Sequence, residues 1–198
     1  SYTAALAVDL KAIQRAGTSL ARSLSGRKKV RVTSSAGTDL RFVTKPIRSA
    51  VDDGIISAAD VRRGFVSVSL PAGKLEAAMR PESVEGEVHA TDSMFYGGRT
   101  IRGVSLRVKA GRIVEWRAEE HGDLLDRTLK GSKVKTARLG WFTVGLNPVA
   151  DPCMLDNSIV KDDVGLGLGP HPQLERRAAR PDVFFYATIG PAQIEIGN

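Results

Sequence analysis

The segment VSLRVKAGRIVEWRA, from Val104 to Ala118, constrains the fold more than any other part of the chain. Two runs of alternating apolar and polar residues flank Lys109-Ala110-Gly111, and a period of two places successive side chains on opposite faces of an extended backbone. Two such runs joined by a short glycine-bearing link read as a β-hairpin. The pattern recurs in KKVRVTSSAGTDLRFVTK, where alternating segments flank Ser34-Ser35-Ala36-Gly37-Thr38. EGEVHATDS, WFTVGLNP, VGLGLG, DVFFYATI and AQIEI supply further short strands; Asn147-Pro148 closes the second, and Gly190-Pro191 joins the last two. Hairpins this closely spaced require a largely antiparallel sheet.

Helical spacing is rarer. Leu6, Leu10, Ile13, Leu20 and Leu24 recur at it, predicting one long amphipathic helix over residues 3–25 with Gly26 as its stop. A second helical region is predicted over residues 123–138, interrupted near Gly131. AVDDGIISAADVRRG reads as a polar surface connection. After it, Val66, Val68 and Leu70 alternate with Ser67 and Ser69, predicting a buried strand that enters a Pro71-Ala72-Gly73 turn and presents Lys74 on a rigid element. The expected class is α+β: a mixed, mainly antiparallel sheet curled into a barrel-like body, with residues 1–26 as a linker helix and residues 27–198 as one domain.

With 42% hydrophobic and 26% charged residues, the composition excludes disorder. No run approaches the ~18 apolar residues of a membrane span, and SYTAALAVDLKAIQR lacks the basic-then-apolar order of a secretory signal. A lone cysteine, Cys153, excludes an internal disulfide, reads as a buried inert thiol and fits a cytoplasmic location. The excess of 29 Lys+Arg over 22 Asp+Glu is dispersed, locally dense only in GRKKVR and LERRAAR. Neither stretch is interleaved with aromatic residues, so a solvated basic surface is favoured over a nucleic-acid site, whose signature would be steep salt dependence without sequence preference.

Reactive groupings are scarce. His89, His121 and His171 are far apart, and none has a ligand partner at metal-motif spacing. His89 reads as a hydrogen-bonded strand residue and His121 as solvated; His171, in the loop LGPHPQL, is the histidine to consider for a site. GLGLG runs into Pro170 rather than into a phosphate-cradling helix. Asp162-Asp163 and the group Glu82, Glu85 and Glu87 read as solvated charges. Composition and spacing alone define no reaction.

Read in order, VRVTSSAGTDLRF, DDGI, SLPAG, ESVEGEV, LRVKAGRIVEW, VGLNP and TIGPAQIEI resemble the carboxy-terminal domain of the thermophilic-type metallo-aminopeptidases, the aminopeptidase T and aminopeptidase S family. The resemblance implies a barrel-like domain that in the family holds two divalent metals, usually within a dimer, and a chain lacking the family's amino-terminal α/β domain. It also assigns positions. The family's Leu-Pro-Ala-Gly-Glu places a glutamate ligand where this chain has Lys74, and a protonated amine cannot coordinate a cation. The second glutamate falls at Trp141, the histidine near Gly165, and the closing His-x-Asp pair on Phe184 and Tyr186. None of these is a normal metal ligand. The resemblance therefore implies no metal and no cofactor, with Lys74, Trp141, Phe184 and Tyr186 filling the former metal pocket and His171 and Asp182 able to approach it. The expected function is a non-catalytic binding or assembly module, a homodimer with a small-molecule or peptide ligand in that pocket and no nucleic acid or membrane partner. The alternative is a hydrolase or other enzyme with a relocated or metal-free site using Lys74 as base or Schiff-base nucleophile.

Overall fold

The computed structural model describes residues 2–197 apart from 48, 63, 65, 92, 93, 97, 131–137, 153–156, 176, 177 and 179–184. Two helices, α1 (Tyr2–Leu6) and α2 (Leu10–Ser23), precede the hairpin strands β1 (Lys29–Thr33) and β2 (Asp39–Val43). Next come β3 (Ala50–Asp52), α3 (Ala58–Arg62), β4 (Lys74–Ala78) and β5 (Glu85–Ala90). The ribbon of β6 (Met94–Tyr96) and β7 (Arg99–Ile101) leads into β8 (Val104–Lys109), β9 (Arg112–Arg117) and α4 (Gly122–Lys130). The chain closes with β10 (Leu139–Gly145), β11 (Asp163–Leu168), β12 (Tyr186–Pro191) and β13 (Gln193–Gly197).

The strands form two open sheets rather than the expected barrel. One is six-stranded in the order β13-β1-β2-β5-β8-β9 and the other five-stranded in the order β12-β11-β10-β4-β3. Every pairing within them is antiparallel. Their apolar faces enclose one core, with Val30, Val32, Phe42, Val88 and Leu106 from the first sheet and Leu75, Phe142, Val144, Leu166 and Ile189 from the second. Phe42 and Phe142 meet across it with ring centroids 4.9 Å apart. Each ring of that size buried from water contributes about 2–3 kcal/mol, so the two sheets hold one another by their inner rows.

Three expectations need correction. The long helix over residues 3–25 is two helices, because Asp9 takes an extended conformation and its carboxylate accepts the backbone N–H groups of Lys11 and Ala12 at 2.8 and 3.1 Å. That is an N-cap, which starts a new helix wherever it sits; α2 then packs on β3 through Gly17, where a Cβ would fall 2.4 Å from Val51 Cγ1. Residues 66–70 form no strand, and Val66 and Leu70 are exposed. The partner strand of β4 comes instead from the supposed surface connection: Val51 pairs with Leu75 and Asp52 with Lys74. Among the described residues no helix is long and apolar enough to cross a membrane.

Candidate functional site

With Leu75, Ala77, Phe142, Val144, Val164 and Leu166 turned into the core, alternation turns the intervening residues of the five-stranded sheet to its other face. Register sets them side by side. Asp52 stands opposite Lys74, Glu76 opposite Thr143, Thr143 opposite Gly165, and Gly167 opposite both Trp141 and Tyr186. A row of polar and aromatic side chains therefore crosses the sheet.

Two glycines make the row possible. A Cβ on Gly167 would fall 1.8 Å from Trp141 Cε2, and one on Gly165 would fall 1.8 Å from the Tyr186 hydroxyl. The rings of Trp141 and Tyr186 lie flat over the bare backbone of β11, stacked at 5.4 Å with 21° between planes. The Tyr186 hydroxyl shares a 2.5 Å hydrogen bond with Thr143 Oγ1. The GLGLG sequence is thus a floor for two aromatic rings, which explains its glycines without a phosphate.

Two non-adjacent segments cover this face. Gly145 lies opposite Lys74 on β10, and a Cβ there would fall 1.8 Å from Val160 O, so its absence lets the 3-10 turn Asn157–Ile159 approach. That turn brings Ser158 Oγ to 3.4 Å from Lys74 Nζ. Asn147 ties the region together by donating from Nδ2 to Ala72 O at 2.8 Å and Ala5 O at 3.1 Å. From the other side, the loop after β11 inserts His171, whose ring meets Trp141 edge-on at 5.1 Å.

Charge on this face is ordered around Glu76. Its Oε1 lies 3.7 Å from Lys74 Nζ and its Oε2 3.2 Å from His171 Nε2. His171 Nδ1 accepts the backbone N–H groups of Gln173 and Leu174 at 3.1 and 3.0 Å, which leaves the ring proton on Nε2, aimed at Glu76. Burial pushes the Glu76 carboxyl up, but the hydrogen bond from His171 and the charge of Lys74 outweigh it and hold the group below its ordinary range. Asp52 goes the other way: burial raises it, Lys74 opposes this, and Glu76 adds to the rise. Lys74 thus lies beside two carboxylates whose shifts run in opposite directions. Asp163 is also buried, at 1% exposure, which corrects its reading as a solvated charge.

Of the residues singled out in the sequence, Lys74, Trp141, Tyr186 and His171 gather on this face. Phe184 and Asp182 lie outside the described residues, as does Cys153. His89 is a structural strand residue with Nδ1 3.1 Å from Ser105 Oγ, and His121 is exposed, bonded through Nδ1 to Thr100 O. Glu76, the centre of the network, went unnoticed. Its signal was alternation: two residues beyond Lys74 on one strand, it had to share that face. Asp52 was missed because its three-residue strand is too short to show a period.

A metal centre of the family's kind does not fit the described residues. No three His, Cys, Asp or Glu side chains among them converge as a ligand set, and Glu76 lies 3.7 Å from the Lys74 ammonium and 3.2 Å from His171 Nε2.

The sequence pattern of the thermophilic metalloproteases (M29) matches residues 9–147. The chain belongs to that family. No curated protein matches it in sequence. Among solved structures, AmpT from Thermus thermophilus is similar at a TM-score of 0.64 and 21% identity over 94% of this chain and 50% of its own. The 2,5-dihydroxypyridine dioxygenase from Pseudomonas putida KT2440 is similar at 0.67 and 15% identity over 93% and 56%. The chain therefore spans about half the length of each, and at these identities the likeness establishes the fold.

Proposed function

We propose that this aminopeptidase T-like domain has exchanged its metal site for a protein-built one and acts as a non-catalytic binding or assembly module. The observation that carries the reading is the position of Lys74: a cation supplied by the chain lies 3.7 Å from Glu76 and within hydrogen-bond reach of Ser158. An ammonium there balances the carboxylate a metal would otherwise balance and repels a second cation. The stacked rings of Trp141 and Tyr186 fill volume that metals and water would need. A metal-free reaction through Lys74 is disfavoured by the same ion pair, because a lysine beside an ionised carboxylate is favoured as an ammonium, which is neither base nor nucleophile.

The test is metal content. Purified protein is loaded in turn with excess zinc, cobalt, manganese and iron, desalted, and its metal counted per chain. The expected result is near zero for all four, with no metal-dependent release of an amino acid from a leucyl substrate. One or two retained metals per chain, with chelator-sensitive leucyl release, would overturn the proposal.

A further inference from the structure

The geometry points to residues 170–175 as a cover that the chain supplies for its own polar face, latched by the ion pair of Lys45 and Glu175. This concerns access to the face and stands apart from what the face binds.

The N–H groups of the cover are met within it. His171 Nδ1 accepts the N–H groups of Gln173 and Leu174, Glu175 N–H donates to His171 O at 3.0 Å, and Glu175 Oε2 accepts the His171 N–H at 3.1 Å. A segment whose N–H groups are paired internally keeps its shape whether docked or not. Its side-chain ties to the body are of another kind. His171 reaches Glu76 and the edge of Trp141, and Glu175 Oε1 pairs with Lys45 Nζ on the loop after β2. At its start Gly169 takes a left-handed φ of +80°, with its N–H anchored on Arg138 O at 2.7 Å. A unit held in this way, whose described side-chain ties to the body run through His171 and Glu175, opens as a unit at lower cost than unfolding the sheet beneath. Lys45 and Glu175 are 28% and 15% exposed, so their attraction is less screened than that of a surface pair. Lifting the turn withdraws His171 and bares Glu76, Trp141 and Tyr186.

The chain has two tryptophans, so W116F leaves Trp141 as the sole reporter of access. In that background K45A should raise the acrylamide quenching constant of Trp141 roughly fivefold, E175Q should move it in the same direction, and K45R should return it to the parent value. In W116F without further change, the quenching constant of Trp141 should already rise at urea concentrations well below the unfolding midpoint, because the cover opens before the sheet beneath it unfolds. Quenching unchanged in both K45A and E175Q would overturn the proposal. So would a Trp141 quenching constant in W116F that stays flat with urea until global unfolding, a readout that needs no change at the latch. Neither measurement depends on metal or ligand, so this inference and the proposed function fail separately.

Discussion

The outer faces of the two sheets carry the same kinds of residue and meet different fates. On the six-stranded sheet, Arg31 pairs with Asp39 at 2.9 Å and approaches Glu195 at 4.0 Å, and Arg107 pairs with Glu115. These side chains stay between 42% and 66% exposed. On the five-stranded sheet, Lys74 and Glu76 fall to 18% and 16% exposure, and His171 to 2%. Water solvates the first face, while the turn at Ser158 and the loop at His171 cover the second. Charges left in water are worth little to one another because solvent and salt screen them. Charges taken out of water are costly unless each is partnered, so a covered polar face has to be built as a network. The contrast distinguishes the candidate face by its covering rather than by its composition. Arg31, in the densest basic stretch, spends its charge on Asp39 and Glu195.

Overfilling the covered face should break the contrast most severely. G167V would drive side-chain atoms into Trp141, which already lies where a Cβ would stand, and should cost about 3 kcal/mol or more in urea unfolding. The network comes next. E76Q leaves Lys74 and His171 without their shared carboxylate and should cost about 2–3 kcal/mol, while K74M/E76Q should cost less than the sum of its single changes.

The pH dependence sharpens that comparison. Because the folded Glu76 carboxyl lies below its ordinary range, its stabilisation is fully present above that range, near 4.3, and is lost as pH falls through the folded value. Asp52, raised in the fold, has the opposite sign: its contribution is present below its ordinary range and lost as pH rises through its folded value. Urea midpoints from pH 7 to pH 3 should show the gap between the unmutated protein and E76Q closing on acidification, whereas D52N should gain stability at the neutral end. The smallest effect belongs to the solvated face. R31A should move the urea midpoint less than any of these changes, and a loss as large as that of E76Q would show that the two faces differ less than their exposure implies.

Much of this fold was readable because antiparallel structure is written locally. The β1–β2 and β8–β9 hairpins occur where alternation and glycine placed them, since both strands and their turn lie within about 20 consecutive residues. The strand expected at residues 66–70 failed for a complementary reason. Its valines alternate correctly, but Ala50–Asp52 already occupies the edge beside β4, and propensity without a partner does not make a strand. The helix over residues 3–25 failed at Asp9, where a side-chain cap overrode a continuous apolar stripe. On the candidate face, family resemblance led to Lys74, Trp141 and Tyr186. Glu76 needed only the strand's period of two.

By itself the sequence determined the antiparallel α+β class and the family, because each is carried by short stretches whose physics is complete within them. Only the tertiary structure decided that Glu76 faces a histidine 95 positions away, since loop closure between them depends on every intervening strand finding its register. It also decided which polar face is covered. A period of two says which side a residue takes, and whether that side meets water is settled by segments distant in the chain.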